Sequence, residues 1–531
     1  MAEINRSWSL VDETQEKEGR KGLYMSLQPN ILFIISDQHN AKILKHKGHP
    51  NARTPHLDRL AAEGVRFDNA ITQNPICTPS RISFLSGQYC HNHGYYGLSG
   101  PNPNGLPNLF SHFRQYGYMT SAVGKIHCPE YWVEDAVDNF HETCNCSIGG
   151  RSAKYAAFLR NRNKLHLEDH GQMPDLGDRG RQSMEGRPSP LTFEESQEGW
   201  IAQETIRFIE SAQEVDRPFL AFASLPRPHQ CTSPSEPFWS WYENEELVLP
   251  PNIDYDISLK APHFRQTVER WRKGDWTLIE PRTFQAGRLR KLHGYLGAVS
   301  QVDHAVGQMV GFLERSGLRQ NTIVIYTSDH GDYAAEHDIM EKAPGICADA
   351  ITRIPMIWSW PDHFQSDHTS PQLVESVDVS NTLCRLADIT PLETSDGKDI
   401  SHLLRGQEQA VRDIAVTEFA WSKSVRKGQY RLVTYPAIMF PEVDDFGELY
   451  DLEVDPWEMN NLYFDPNWAD LAREMERDLL EWLITTTRLA TTNGVEIPSG
   501  RQTRKRNRHT TNLDGKIHPD RLRGAQTKNY L

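Results

Sequence analysis

The sequence lacks any long apolar run. No stretch approaches the ~20 apolar residues that a membrane-spanning helix requires, and mean hydropathy is −0.61. Residues 1–30 are charged and contain no hydrophobic segment typical of a secretory signal. The net charge of −14 argues against general nucleic-acid binding. We therefore expect a cytoplasmic protein with no membrane span and no nucleic-acid partner.

Closely spaced cysteine pairs are also missing. The eight cysteines include no CxxC pair, and Cys144 and Cys146 are too close together for a zinc ribbon. A large chain with scattered cysteines is typical of a cytosolic protein with reduced thiols. We expect neither a zinc knuckle nor a disulfide framework.

Continuous apolar segments predict the centre of the fold. Uniformly apolar runs, without alternation, are typical of strands that are covered on both faces. These runs are residues 30–35, 117–123, 218–224, 322–327 and 354–358. Helical periodicity separates several of them, most clearly over residues 289–316. The pattern predicts an α/β protein, and 531 residues are ample for a large core.

Polar residues follow the apolar runs. In open α/β sheets, ligands collect at the carboxyl ends of the strands. The polar residues at the ends of four of these runs are Asp37 and Gln38, Lys125 and His127, His229, and Asp329 and His330. A parallel sheet brings separate strand ends together, so we expect a site where these side chains meet.

Cys77 stands just before a predicted helix start. Thr78 is the predicted N-cap, and Pro79 fits the first turn. Cys77 then lies over the free N–H groups of a positive helix end, where an anion also settles. Arg81 lies one turn along on the same side, with a fork suited to a tetrahedral oxyanion.

These residues carry a resemblance to a known family. Residues 77–81, Cys-Thr-Pro-Ser-Arg, match the C-x-P-S-R signature of the sulfatases. Residues 51–61, 124–127, 225–229, 327–342 and 448–462 resemble the family's further motifs in the same order. The resemblance covers most of residues 30–465. Within the family, the sequence resembles both the iduronate-2-sulfatase type and the phosphonate monoester hydrolase type. The family motif at 225–229 normally continues with a second proline after His229, and this chain has Gln-Cys there.

The resemblance implies a mechanism and assigns roles to residues. In this family an activating enzyme oxidises the cysteine, here Cys77, to formylglycine, whose hydrate supplies the nucleophile. A hydrate attacks through one hydroxyl and expels sulfate by collapsing to the carbonyl, whereas a thiolate would leave a stable adduct. The remaining roles are neutralisation of the transferred group by Arg81, Lys125 and Lys342, assistance to collapse by His127, and protonation of the leaving oxygen by His229 or Lys342.

The resemblance also implies one divalent metal, held by Asp37, Gln38, Asp329 and His330. Ca²⁺ is the ion that the family implies. The family frequently has a second aspartate where this chain has Gln38, which lowers the negative charge and makes Mn²⁺ or Mg²⁺ the alternatives. His337 matches a family histidine whose role here stays open, with structural support as the favoured interpretation.

The implied fold is a large mixed, mostly parallel sheet sandwiched by helices, as in the alkaline-phosphatase-like superfamily. A smaller C-terminal antiparallel sheet with a helix follows it. The predicted divisions are an N-terminal extension (1–29), a catalytic domain (30–405), a C-terminal α+β subdomain (406–500) and a basic tail (501–531). The tail is interpreted as a mobile arm or an oligomer contact.

Three functions stay open at this point. The first is hydrolysis of a sulfate ester, expected to be that of a sulfated carbohydrate and presented by a small molecule or an oligosaccharide, after activation by a formylglycine-generating enzyme or an equivalent maturase. The second is a phosphonate or phosphate mono- or diester hydrolase on the same scaffold, which Gln38 favours. The third is a binder that keeps an unmodified Cys77 and only captures anions.

Overall fold

The structure, a computed structural model, describes most of the chain from residue 28 to residue 488. The described ranges are 28–129, 131–143, 153–167, 186–230, 232–273, 284–339, 341–342, 347–441 and 446–488. The predicted N-terminal extension, apart from its last two residues, and the predicted basic tail lie outside these ranges. No helix in the described ranges combines the length and the apolar character that a membrane crossing requires.

The described residues form two separate sheets. The strands are β1 (Asn30–Asp37), β2 (Val65–Ile71), β3 (Met119–Gly124), β4 (Asn139–Glu142), β5 (Phe219–Pro228), β6 (Thr322–Ser328), β7 (Met356–Ser359), β8 (His368–Glu375), β9 (Ile414–Glu418), β10 (Lys423–Lys427), β11 (Tyr430–Thr434) and β12 (Gly447–Asp451). The larger sheet has the order β4-β3-β5-β1-β6-β7-β2-β8, and the smaller one has the order β12-β11-β10-β9.

The larger sheet is parallel except at β7, which runs antiparallel to both of its neighbours. Strand β1 lies at its centre, paired in parallel with β5 and β6. All eight residues of β1 are buried, which agrees with the uniformly apolar sequence of this strand. The predicted mixed, mostly parallel sheet is confirmed.

Helices cover both faces of this sheet. The α-helices are α1 (Pro55–Ala62), α2 (Cys77–Ser86), α3 (Cys90–His93), α4 (Leu109–Gln115), α5 (Ala153–Arg160), α6 (Gln197–Glu214), α7 (Pro262–Arg272), α8 (Phe284–Arg315), α9 (Asp349–Thr352), α10 (Asp378–Leu386) and α11 (Ala469–Thr486). Alternate residues of β1 enter different cores. Ile31 and Phe33 join the core that includes α4 and α10, whereas Leu32 and Ile34 join the core of α1, α6 and α8.

The smaller sheet is antiparallel throughout and packs against α11. Each of its four strands contributes one buried aliphatic residue to a shared core, and α11 contributes the facing side chains. The predicted C-terminal antiparallel sheet with a helix is confirmed. The domain boundaries at residues 405 and 500 stay predictions.

One local prediction is wrong, and strands β4 and β8 were not predicted. Thr78 is not the N-cap of α2: the helix begins at Cys77, and the Thr78 hydroxyl donates instead to the carbonyl of His127 at 2.8 Å. Strand β8 was not predicted, because its sequence is polar and contains Pro371. Strand β8 lies at the edge of the sheet, where proline costs no ladder hydrogen bond.

Candidate active site

Two adjacent strand ends form the base of the site. Strands β1 and β6 run in register up to Ser36 and Ser328, so Asp37 and Asp329 follow at the same edge of the sheet. The backbone N–H of Gln38 donates to Asp329 Oδ1 at 3.0 Å. Both carboxylates are fully buried. Two acids far apart in the sequence therefore meet because their strands are parallel neighbours.

Helix α2 is fastened to this edge at its first turn. Asn74 Oδ1 accepts from the N–H of Ile76, which leads the chain into the helix. The hydroxyl of Ser80 donates to the carbonyl of Asp329 at 2.6 Å, and that of Thr72 donates to the same carbonyl at 2.7 Å. These bonds fix Cys77, the first residue of α2, beside the end of β6.

Four side chains surround the thiol of Cys77. Lys342 Nζ lies 3.1 Å from Sγ and His330 Nε2 lies 3.4 Å from it. Asp37 Oδ1 and Lys125 Nζ each lie 3.9 Å from Sγ. The side chain is 2% exposed. The structure thus brings together residues that follow three different strands and one loop.

Charge makes this thiol unusually acidic. Burial and the carboxylate of Asp37 raise the pKa of Cys77, but the cationic side chains of Lys125 and Lys342 outweigh them, and the pKa falls well below its ordinary value. An anion at position 77 is therefore stabilised by its surroundings. A hydroxyl group at the same place would have the same cations within reach.

Arg81 contacts carboxylates instead of open space. Its Nε donates to Asp329 Oδ2 at 2.9 Å, and its Nη2 lies 3.3 Å from Asp37 Oδ2. Nη1 donates to the Lys125 carbonyl and, at 2.7 Å, to the hydroxyl of Ser224. All three nitrogens of Arg81 thus have partners within the site. We expected the Arg81 guanidinium to face an oxyanion, and in the structure it binds the carboxylates of Asp37 and Asp329.

Asp37 is held ionised by this arrangement. Burial alone would raise the pKa of the Asp37 carboxyl, but the ion pair with Lys125 and the Arg81 guanidinium lower it well below its usual range. A permanent carboxylate is the form that binds a metal cation.

The two other predicted histidines lie at the rim. His229 is partly exposed. Burial, with Lys125 and Lys342 nearby, lowers its pKa well below the ordinary value, so its ring is neutral. The backbone N–H of His229 donates to the backbone carbonyl of Asp37 at 3.1 Å. His127 has a positive φ of 50°, and its Nδ1 has no hydrogen-bond partner among the described residues.

The donor set fits a divalent cation. Asp37, Cys77, Asp329 and His330 each offer one atom, and these four atoms lie within 4.8 Å of one another. The Nδ1 of His330 lies 2.9 Å from the Gly331 carbonyl, so donation there leaves the lone pair on Nε2. The Oε1 of Gln38 is buried and accepts no hydrogen bond from any described residue. Carboxylate and amide oxygens with one imidazole suit hard or intermediate cations.

His337 lies outside this group. Its Nδ1 pairs with the Tyr255 hydroxyl at 2.7 Å, and its ring packs edge-on against Phe264 and Tyr333. Supporting contacts of this kind agree with the favoured interpretation of His337 as structural.

Several site residues were not assigned from the sequence. Ser224 receives a hydrogen bond from Arg81, and Asp332 and Gln230 both receive one from the amide of Gln38. Ser224 and Gln230 belong to the same strand-end segment as His229, and Asp332 follows His330 by two residues. Their places at strand ends were a usable signal, but no spacing rule singles them out.

Two protein-family models match the chain. The sulfatase family model matches residues 29–389. A second model, the C-terminal region of N-sulphoglucosamine sulphohydrolase, matches residues 336–484.

Named relatives extend over most of the chain. The ulvan-active sulfatase of Formosa agariphila is 25% identical over 464 residues, which cover 85% of this chain and 80% of that protein. The N-acetylglucosamine-6-O-sulfatase of Bacteroides thetaiotaomicron is 25% identical over 516 residues, 86% of each chain.

Solved structures share the fold. One is described as a complex with its substrate D-glucosamine-2-N,6-O-disulfate. It superposes with a TM-score of 0.69 at 20% identity and covers 86% of this chain and 98% of the other. The phosphonate monoester hydrolase of Agrobacterium radiobacter also gives a TM-score of 0.69 at 20% identity, with 86% and 96% covered.

Proposed function

The chain belongs to the sulfatase family of sulfuric ester hydrolases, and from this premise we propose that it hydrolyses a sulfate ester of a carbohydrate at Cys77. In this proposal Cys77 acts after conversion to formylglycine by a maturing enzyme. The aldehyde hydrate supplies one hydroxyl that attacks sulfur and a second whose deprotonation allows sulfate to leave.

The proposal includes one divalent metal held by Asp37, Gln38, Asp329 and His330. The metal would polarise a sulfate oxygen and favour the ionised nucleophile. Arg81 keeps the two aspartates in place, because its three nitrogens bind them and the backbone of Lys125. Ca²⁺ is the family's ion, and the neutral amide of Gln38 keeps Mn²⁺ and Mg²⁺ as alternatives.

The basic side chains have separable tasks. Lys342, 3.1 Å from Cys77 Sγ, and Lys125, 3.9 Å from it, stabilise negative charge on the transferred sulfuryl oxygens. Lys342 gives a proton to the leaving alcohol oxygen. His229, whose ring is neutral in this site, takes that role only after it has itself gained a proton. His127, with its unpaired Nδ1, accepts the proton that the second hydroxyl of the hydrate loses.

One observation carries this proposal. The buried thiol at the start of α2 lies within 3.9 Å of two of the proposed metal ligands, Asp37 and His330, and of two lysines, Lys125 and Lys342. A binder that only captures anions needs the lysines but not the buried pair of aspartates. The carboxylates repel an anion unless a cation stands between them.

Sulfated carbohydrate is the proposed substrate class. The relatives named for ulvan and for N-acetylglucosamine 6-sulfate cover more than four fifths of this chain. We therefore test the converted enzyme with defined sulfated mono- and oligosaccharides and with aryl sulfate. Release of sulfate from at least one carbohydrate supports the proposal. If the enzyme hydrolyses aryl sulfate but none of the sulfated carbohydrates, the proposal that its substrate is a carbohydrate is wrong.

A second candidate is a phosphonate or phosphate ester hydrolase. Gln38 favours it, because a glutamine at this position resembles the phosphonate monoester hydrolase type, and a phosphonate monoester hydrolase shares the fold. Matched p-nitrophenyl esters of sulfate and phenylphosphonate separate the two, since only the transferred group differs. A higher kcat/KM for the sulfate ester supports the sulfatase proposal. A higher kcat/KM for the phosphonate ester would make phosphonate hydrolysis the favoured function.

A further inference from the structure

The side-chain amide of Gln38 is held in one orientation. Its Nε2 donates one hydrogen to Asp332 Oδ2 and the other to Gln230 Oε1, the latter at 3.0 Å. Both hydrogens are thereby used. Its Oε1 is buried and has no hydrogen-bond partner among the described residues. Gln38 therefore presents an oxygen, and not an NH₂ group, on its unpaired side.

The two partners are themselves fixed. Asp332 Oδ1 accepts from the N–H of Ala334, so its Oδ2 is the atom that faces Gln38. Gln230 Nε2 donates to Glu341 Oε2 at 2.7 Å, so its Oε1 faces Gln38. These side chains are all buried. Turning the Gln38 amide over would put its oxygen against two other oxygens, which buried polar groups avoid.

We propose that Asp332 and Gln230 are positioning residues that force Gln38 to act as a neutral oxygen ligand of the metal. The inference rests on the proposed function, because it concerns the metal of that site. These two residues explain how Gln38 can take the place of the second aspartate that is frequent in the family at this position. An aspartate or glutamate at position 38 would meet the carboxylate of Asp332, whereas an amide donates to it.

The sharpest test exchanges donor and acceptor without changing shape. In Asp332→Asn, the oxygen must still accept from the N–H of Ala334, so the new NH₂ group faces Gln38. Two NH₂ groups then oppose each other, and the Gln38 amide turns its own NH₂ toward the metal. Loss of such an orienting partner typically weakens metal binding by about 10- to 100-fold. We expect a loss in that range.

A second substitution should reverse this loss. In Gln38→Glu/Asp332→Asn, one carboxylate oxygen of residue 38 accepts from the new NH₂ group and, once the Gln230 amide turns over, from the NH₂ group of Gln230 as well. The other carboxylate oxygen faces the metal. We expect the double variant to bind metal at least ~10-fold more tightly than Asp332→Asn, by restoring the lost ligand. Gln38→Glu alone opposes two carboxylates and should bind more weakly than the double variant. A merely structural role of Asp332 predicts that Gln38→Glu alone binds metal as tightly as the double variant.

The measurement is metal binding and not turnover. Enzyme with Cys77 converted is stripped with a chelator and titrated calorimetrically with Mn²⁺ alone and with Ca²⁺ alone. Asp303→Asn is the matched control, because Asp303 is a buried carboxylate that accepts from the backbone of Leu57 and His56, outside the site. Its metal affinity should equal that of the wild type. Gln230→Met, which removes the other acceptor, should also weaken binding and serves if Asp332→Asn does not fold.

The outcomes separate the inference from its premise. Wild-type affinity in Asp332→Asn, or in Gln230→Met, would overturn the inference and leave the proposed metal in place. A double variant that binds no more tightly than Asp332→Asn would overturn it as well. If the wild type binds neither cation, nor Mg²⁺ titrated in the same way, the metal of the proposed function fails and the inference falls with it.

Discussion

Arg81 and Asp329 form a buried ion pair, with Nε and Oδ2 2.9 Å apart, although 248 positions separate them in the chain. The same guanidinium reaches Asp37 at 3.3 Å. Arg81 therefore bridges the ends of two parallel strands from the second turn of a helix. In our proposal this bridge sets the spacing of two metal ligands and offsets their charge.

Replacing Arg81 with lysine should disrupt the site while keeping its charge. A single ammonium group cannot bind Asp329, Asp37 and the Lys125 carbonyl together. We expect kcat/KM to fall by at least ~10²-fold, the loss typical of a missing electrostatic contact in an active site. We also expect unfolding free energy to fall by about 1–3 kcal/mol. Steady-state kinetics and urea unfolding measure the two effects.

Arg473→Lys is the matched control, because Arg473 makes an exposed pair with Asp470 on α11. Both quantities should stay near wild type there. Wild-type kinetics in Arg81→Lys would show that the bridge is dispensable.

Lys342 is proposed to act on the transferred group. Its Nζ lies 3.1 Å from both Cys77 Sγ and His330 Nε2. In Lys342→Met this positive charge is lost, and kcat should fall by about 10²–10³-fold. Lys427→Met removes a lysine that pairs with Glu474 and Asp478 far from Cys77, and its kcat should not change. An equal loss in both variants would contradict the assigned role.

A buried His91–Glu418 pair joins α3 to the smaller sheet. The His91 Nδ1 and Glu418 Oε1 atoms lie 2.8 Å apart. Burial lowers the pKa of His91, but Glu418 outweighs it and raises the pKa above 6.5. Burial raises the pKa of Glu418, but His91 and then Lys423 lower it to about 2 from 4.5. The charged pair therefore exists in the folded protein at mildly acidic pH.

This pair should make stability depend on pH. The histidine contribution is complete below pH 6.5 and is lost as pH rises through the raised pKa of His91. The glutamate contribution is complete above pH 4.5 and is lost as pH falls toward 2. Glu418→Gln should therefore lower unfolding free energy most near pH 5.5, by about 3 kcal/mol. The loss should be clearly smaller at pH 8.5.

Urea unfolding at the two pH values measures this difference. Glu474→Gln is the control, because Glu474 is exposed and its partner Lys427 stays charged at both pH values. Its effect should be small and the same at both pH values. An equal loss for Glu418→Gln at pH 5.5 and 8.5 would show that the His91 charge contributes nothing.

Cys77→Ala should separate chemistry from folding. The thiol contributes little volume, so the unfolding midpoint should stay near wild type, while turnover falls by at least ~10³-fold. Cys77→Ser should be inactive as well, unless the maturing enzyme accepts serine. Circular dichroism and sulfate release test both variants. Full activity of Cys77→Ala would exclude position 77 as the nucleophile.

The scaffold was predictable because its signals are local. Apolar runs mark β1, β5 and β6, and the parallel arrangement then brings Asp37 and Asp329 to one edge. Strand β8 was missed because an edge strand tolerates polar residues and Pro371.

The hydrogen-bond partners of the site were not predictable. Arg81 was expected to face an oxyanion, yet its three nitrogens bind Asp329, Asp37, Ser224 and the backbone. The Thr78 hydroxyl caps nothing in α2, because the carbonyl of His127 lies within reach. These hydrogen bonds depend on which side chains the folded chain brings together, and the spacing of residues in the sequence does not specify that.

The central claim is that an aldehyde derived from Cys77 carries the reaction. It is tested most directly by mass spectrometry of the peptide containing residue 77, in preparations made with and without a co-produced maturing enzyme. Conversion lowers the peptide mass, and the account predicts that specific activity rises in proportion to the converted fraction and vanishes at zero conversion. Full sulfatase activity in protein whose residue 77 is entirely an unmodified cysteine would contradict the account.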